Sequence, residues 1–343
     1  MKKVITLIAI AFLLVACKKE KSELKAQVFK GPAIGTTYSV KFYHDHSINM
    51  AKRIDALVDS FNKSMSTWWP NSDITAINKG VLSTPIDETF QEVMDYARVV
   101  HKDTDGYFDP TVGNLVNAYG FGANGKKDFA PTPMQVDSLM NFVGFDKVKV
   151  VKDSTGAAFI DMPQGMYLEF NAIAKGTLVD YIAHVFDDNG VTDYIIDVGG
   201  EVFASGINQE KQQPWLVGVN APKKDKTGST LSLMAVELND AAMAGSGNYR
   251  KFKLDPKSGQ EYVHTVNPLT GMAVPSEVVA VNVIADNCTL ADGYATAFMA
   301  MPLELSRQKI KEIEDIEVLI MYLDENGILQ FLKSDGFDQY LKK

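Results

Sequence analysis

The sequence predicts an α+β fold, a single large domain of mixed, largely antiparallel sheets with flanking helices. Three observations carry that expectation. Apolar residues recur at helical spacing mainly in the first half. Alternating or β-branched runs separated by turn residues crowd the second half. No Pro/Gly-rich linker or internal repeat divides the chain. With 46% hydrophobic and 22% charged residues the composition is that of an ordinary globular protein able to bury a sizeable core.

Each element follows from a local pattern. Residues 37–43 alternate like a strand, and Ile54, Leu57, Val58, Phe61 and Met65 then mark one face of a helix. Phe90, Val93, Met94, Ala97 and Val100 mark a second. A third opens at Thr132-Pro133-Met134-Gln135, a capping box with proline at N1, and stops near Gly144. A fourth is expected over 173–189, ending at Gly190, with 193–198 as a buried strand. Residues 215–219, 231–238, 261–266 and 278–285 read as strands set apart by turns such as Asp255-Pro256 and Ser258-Gly259. A helix holding Asp292 comes next, then a charged helix over 305–313. The strand at 318–323 leads into Glu325-Asn326-Gly327, for which Asn-Gly predicts a type I′ hairpin.

The N-terminus reads as an address. Met1-Lys2-Lys3 is a positive n-region, and the apolar run 4–15 is shorter than the roughly 20 residues of a membrane-spanning helix. It ends in Leu14-Val15-Ala16-Cys17, which resembles a bacterial lipobox. Residues 1–16 are accordingly expected to be a lipoprotein signal peptide, 17–28 a lipidated Cys17 with a flexible tether, and 29–343 the folded domain. The expected location is a bacterial cell envelope, with the protein held to a membrane by its lipid and its domain in the periplasm. Of the 2 cysteines only Cys288 then remains, so no intrachain disulfide can form; a buried, unreactive thiol is the expectation. Loss of Lys2 and Lys3 with the leader takes the net charge from -9 to about -11, which argues against a nucleic-acid partner. An anionic cofactor would need a local cation.

The run Ala291-Asp292-Gly293-Tyr294-Ala295-Thr296-Ala297 offers a carboxylate and a hydroxyl at i and i+4, on one helix face. Two such oxygens suit a hard cation such as Mg²⁺, which leaves room for a substrate phosphate. The same run also reads as a variant capping box with Thr289 at the N-cap and Asp292 at N3. Further polar clusters sit in glycine-rich loops: 66–72, 106–113, 169–176, Gly199-Gly200-Glu201, 246–250 and 264–271. Taken singly, each is also a respectable turn.

Taken in order, these segments resemble the ApbE family of FAD:protein FMN transferases. The resemblance rests on Ser66-Thr67-Trp68, Phe108-Asp109-Pro110-Thr111-Val112-Gly113, Ala118-Tyr119-Gly120-Phe121-Gly122 and Ile173-Ala174-Lys175-Gly176. It continues through Asp197-Val198-Gly199-Gly200, Ser246-Gly247-Asn248-Tyr249-Arg250, 264–271 and 291–296, and spans roughly residues 29–335. It implies an ApbE-like, T-fold-like domain. The implied enzyme cleaves the pyrophosphate of FAD, transfers FMN to a Thr or Ser hydroxyl of an exported acceptor protein such as a redox-complex subunit, and releases AMP with the help of Mg²⁺. The family pattern gives Asp292, Thr296 and the carbonyl of Ala172 to the metal. Trp68, Tyr107, Phe108 and Asp109 then line the FAD site, with Ile34 and Val263 as apolar contacts, Glu169 as a polar contact and Lys175 as the cation. His264 is the implied general base, acting with Asp292 in catalysis. The chain departs from the pattern at Ile34 (for Met), Glu169 (for Asp), Asn171-Ala172 (for Gly-Gly), Gly245 (for Thr) and Asn267 (for Asp). Two other readings use the same residues: an FAD pyrophosphatase yielding FMN and AMP, and a lipid-anchored FAD-binding protein.

Overall fold

A hairpin opens the chain. Strands β1 (Ala26–Ala33) and β2 (Thr36–Tyr43) pair antiparallel around the two-residue turn Ile34-Gly35. The structure is a computed structural model and describes residues 24–44, 49–125, 127, 129–224, 230–248, 252–256 and 258–342. The signal segment, Cys17, Tyr249 and Arg250 lie outside these residues. Residues 26–28, expected in the tether, are strand instead, with Ala26, Gln27 and Val28 paired to Tyr43, Phe42 and Lys41. β1 is a sheet edge, where polar residues are tolerated, so its composition resembles that of a linker.

Helices α1 (Met50–Met65) and α2 (Asp73–Asn78) follow, then β3 (Pro85–Ile86), α3 (Glu88–Asp103), α4 (Gly113–Ala118), α5 (Pro133–Met140), β4 (Lys149–Lys152) and β5 (Ala158–Asp161). The capping box at Thr132 and Gln135 is present as read. The second half contains α6 (Ala174–Asp187), β6 (Asp193–Val198), β7 (Glu201–Ser205), β8 (Ile207–Asn208), β9 (Gln213–Lys224), β10 (Thr230–Leu238), β11 (Ala241–Gly247), β12 (Phe252–Leu254), β13 (Glu261–Val263) and β14 (Val278–Ala285). The chain ends with α7 (Cys288–Ala300), α8 (Leu303–Glu312), β15 (Ile316–Leu323) and β16 (Leu329–Lys333).

Eight strands form the central sheet in the order β1-β2-β6-β7-β11-β14-β15-β16, with every pairing antiparallel. One face carries α1, α3, α6 and α7 over a core that includes Phe42, Phe90, Phe186 and Phe298. The other packs on the β10-β9-β8 sheet through Trp215, Val236, Met243 and Leu319. Burial on both faces explains why β14 is almost continuously apolar. A smaller cluster of Leu115, Val136 and Val266 joins α4 and α5 to the segment after β13.

Three local expectations are corrected. The strand expected over 261–266 stops at Val263, and Asn267 organises the following turn by accepting the N–H groups of Leu269 and Thr270. The β15–β16 hairpin exists, but only Gly327 in its turn has positive φ, at 74°. Asp324 sets that loop: its Oδ1 accepts from the N–H groups of Asn326 and Ile328, and this local bonding overrides the Asn-Gly preference. Thr289 is not an N-cap. Asn287 caps α7 by accepting from Leu290 N at 2.9 Å, so Thr289 and Asp292 do not form a capping box.

Candidate active site

The start of α7 is fixed by two side chains. Besides Asn287, the half-buried Asp180 on α6 accepts through its carboxylate from the N–H groups of Cys288 and Thr289, each at 2.8 Å, and from Thr289 Oγ1 at 2.6 Å. Three of the orphan donors at the helix start are thereby satisfied. Asp292, one turn further on, is left free of capping duty on its own helix. It faces the first turn of α6 instead, where Oδ2 accepts from Gly176 N at 3.1 Å. A carboxylate there meets unpaired N–H groups and the positive end of the helix dipole.

The contact requires close approach of the two helices. A Cβ on Gly176 would lie 2.1 Å from the carbonyl oxygen of Cys288 and 2.9 Å from Asp292 Cβ. Glycine at 176 therefore lets the Asp292 carboxylate reach α6. Cys288 sits in the same contact, fully buried, and burial pushes its thiol pKa well up, so it is not a reactive thiol.

Asp292 and Thr296 share one face of α7, as their spacing predicts. Thr296 Oγ1 lies 3.4 Å from the carbonyl oxygen of Ala172 and 3.5 Å from Ser246 Oγ on β11. The three oxygens assigned to a metal by resemblance thus gather at the α6–α7 contact. Neither Asn171 nor Ala172 has positive φ, so replacing two glycines does not hinder presentation of that carbonyl. A carboxylate, a hydroxyl and a backbone carbonyl are an all-oxygen set that fits Mg²⁺, which is commonly held by one or two carboxylates plus substrate phosphate.

Lys175 is the local cation. Its Nζ lies 3.3 and 3.4 Å from the two oxygens of Asp292 and makes a shorter ion pair with Glu201. Burial by itself lowers the ammonium pKa, but the charges of Asp292 and Glu201 outweigh it and hold the group above its usual value. For Glu201 burial wins over the pull of Lys175, and its pKa is raised. Glu201 stands in one of the polar clusters seen in the sequence, but sequence reasoning gives it no role in the site. Its one signal is a charged residue directly after Gly199-Gly200, opening a strand whose next three residues are apolar. A cavity of about 290 Å³ adjoins this cluster, lined among others by Asp197, Gly200, Gly245, Ser246 and Asn282.

The remaining predicted residues divide into presented and buried groups. Trp68 is 59% exposed on a loop held by Ser72 Oγ donating to Ser66 O and Thr75 Oγ1 donating to Trp69 O. Ile34 occupies the hairpin turn at φ 21°, a strained conformation for a β-branched residue, beside Gly35 at φ 81°. That turn adjoins the corner leading to Glu201, because Gly199 N donates to Thr37 O. Tyr107 is half-buried, and Glu169 N donating to Pro110 O brings residue 169 beside the 107–110 segment. Glu169 Oε1 accepts from Asn171 Nδ2.

Three of the expected lining residues turn their side chains inward. The Phe108 ring is 2% exposed and packs in the main core, and Val263 is 1% exposed. Both side chains are buried in the unliganded chain. Asp109 is also buried; Oδ1 accepts from Thr111 N and Thr111 Oγ1, and Oδ2 accepts from Phe145 N at 3.0 Å, so it shapes the loop from within. His264 follows β13 and is half-buried. Its loop is tied to the C-terminal end of α7 by Asn267 Nδ2 donating to Ala300 O, one turn beyond Thr296. Among the described residues, the buried Thr67 Oγ1 and Asn248 Oδ1 lack hydrogen-bond partners, as does Asn117 Nδ2 outside the predicted segments.

The ApbE family model matches residues 34–320. The chain is 30% identical over 340 residues to the FAD:protein FMN transferase of Haemophilus influenzae, covering 96% of each chain. It is 29% identical to the enzyme of that name from Vibrio cholerae, covering 100% of each. Among solved structures, the flavin transferase ApbE from Vibrio cholerae superposes with a TM-score of 0.81 at 28% identity, covering 93% of this chain and 100% of that one. The ApbE protein of Thermotoga maritima gives 0.77 at 25% identity, covering 93% and 100%. With the family model matching most of its length and a solved member superposing at a TM-score of 0.81, this chain belongs to the ApbE family.

Proposed function

We propose that this chain is an FAD:protein FMN transferase that uses Mg²⁺ to move the FMN half of FAD to a Thr or Ser hydroxyl of an exported acceptor protein, releasing AMP. The observation that carries this reading is the gathering of Asp292, Thr296 and the Ala172 carbonyl beside Lys175 in a chain of this family. Mg²⁺, when bound, supplies charge that neutralises pyrophosphate oxygens. Asp292, Thr296 and the Ala172 carbonyl would hold it, and Lys175 would add a second positive charge. Trp68 offers its exposed ring for stacking on the nucleotide, and Tyr107, Glu169 and the strained Ile34 turn frame the site. His264 takes the proton of the acceptor hydroxyl. The hydroxyl oxygen bonds to the phosphorus of the FMN half, the bridging P–O bond breaks, and AMP leaves with the electron pair. Lipidation at Cys17 would hold this domain on the envelope membrane, facing exported acceptors.

The test incubates the protein with FAD, Mg²⁺ and an exported redox-complex subunit. The expected product is a fluorescent band that survives denaturation and is lost in Asp292→Ala, with the modified hydroxyl located by mass spectrometry. Release of FMN and AMP at a rate that acceptor does not improve would make the protein a pyrophosphatase instead. Unchanged FAD after long incubation would make it a binding protein.

A further inference from the structure

Lys175 presents a conflict of charge. Its ammonium group shares Asp292 with the proposed metal, and two cations beside one carboxylate repel each other. Without a second anion the ammonium would settle on Asp292 and exclude the metal, or the metal would drive it out. Glu201 supplies that anion. It is 1% exposed, and each of its oxygens is used: Oε1 takes Lys175, and Oε2 accepts from Gly245 N at 3.2 Å. Gly245 pairs with Asn282 of β14 on one side, but on the other the ladder between β7 and β11 runs only as far as Val202 and Met243, and there the Gly245 N–H goes to the Glu201 carboxylate. Glu201 is thus anchored to the sheet on one side and to Lys175 on the other, while Asp292 holds Lys175 by longer contacts of 3.3 and 3.4 Å.

We propose that Glu201 is a positioning residue that retains the Lys175 ammonium when a divalent cation takes Asp292, so that both positive charges face the phosphates together. This rests on the reading of Asp292, Thr296 and Ala172 as the Mg²⁺ site. In Glu201→Gln the anchor is lost, Lys175 closes on Asp292, and Mg²⁺ must compete with it.

The experiment is calorimetric titration of Mg²⁺ into the purified, FAD-free protein, with folding followed by circular dichroism. Glu201→Gln is expected to weaken Mg²⁺ binding at least about tenfold, and adding Lys175→Met to that variant is expected to restore it. Wild-type affinity in Glu201→Gln, or no recovery in the double variant, overturns the proposal. Asp292→Ala separates the two readings. If it abolishes binding while Glu201→Gln does not weaken it, only the role of Glu201 fails; if it binds as tightly as wild type, the metal site fails first. Should Glu201→Gln not fold, Lys175→Met alone decides, since removing the competing cation must leave Mg²⁺ binding at least as tight, and weaker binding overturns the proposal.

Discussion

Asp292 and Asp109 are both buried aspartates in predicted motifs, yet the structure gives them different work. Asp109 is held at 2.5 to 3.0 Å by the N–H and hydroxyl of Thr111 and the N–H of Phe145, with His101 Nδ1 standing further off at 3.9 Å. Asp292 is held by one N–H at 3.1 Å and a cation at 3.3 and 3.4 Å that is bound more closely by another carboxylate. Close bonds to backbone fix a loop. Long contacts to a shared cation can be exchanged for a metal. The same contrast separates two rings: Phe108 is locked in the core, and Trp68 stands in solvent on a braced loop.

The largest effect expected from this contrast is at Asp292. Asp292→Ala should lower FMN transfer about 10³-fold, as loss of a group stabilising transition-state charge does, while the melting temperature changes by only a few degrees. Asp292→Asn, which keeps an acceptor for Gly176 N, should be nearly as inactive; if it is active, charge is not what the site needs from residue 292. Asp109→Ala should do the reverse. Leaving buried donors at Thr111 and Phe145 unsatisfied should cost about 3–5 kcal/mol in chemical denaturation, with turnover per folded molecule largely kept.

The rings give the next pair. Phe108→Ala should destabilise by about 3–5 kcal/mol as a core cavity, whereas Trp68→Ala should leave stability within about 0.5 kcal/mol. Trp68→Ala should instead raise the KM for FAD about tenfold, in line with loss of one stacked ring. An unchanged KM would remove Trp68 from the site.

The smallest effect concerns a carboxylate contact outside the site. Tyr38 OH donates to Asp55 Oδ1 at 3.1 Å. Burial, then the bond to Asp55, raises its pKa from 10.0 to about 12. The unfolded chain releases this proton first, so the contribution is present below pH 10 and lost as pH rises to about 12. Tyr38→Phe should flatten the fall in melting temperature over that window.

Much of the fold was legible in the sequence because helical and strand periodicity report burial directly. α1, α3, the start of α5, β14 and the final hairpin stand where the pattern puts them, while α5 ends at Met140, short of Gly144. β1 was hidden because an edge strand is not obliged to alternate strictly. The segment 106–113 was visible as a cluster, but periodicity says nothing about which way a loop side chain turns. Phe108 and Asp109 are accordingly oriented inward by contacts with residues as distant as Phe145.

The sequence by itself determined the strongly periodic elements, the family resemblance and the shared face of Asp292 and Thr296, since each is a property of local spacing and motif order. Only the tertiary structure decided that Asn287 and Asp180, not Thr289, fix the start of α7, that Asp292 serves a different helix, and that Glu201 holds Lys175. Lys175 and Glu201 are 26 residues apart, and Lys175 and Asp292 are 117 apart. Such charge pairs form because helix packing through Gly176 and the corner before β7 bring them out of water together, and no local pattern encodes that closeness.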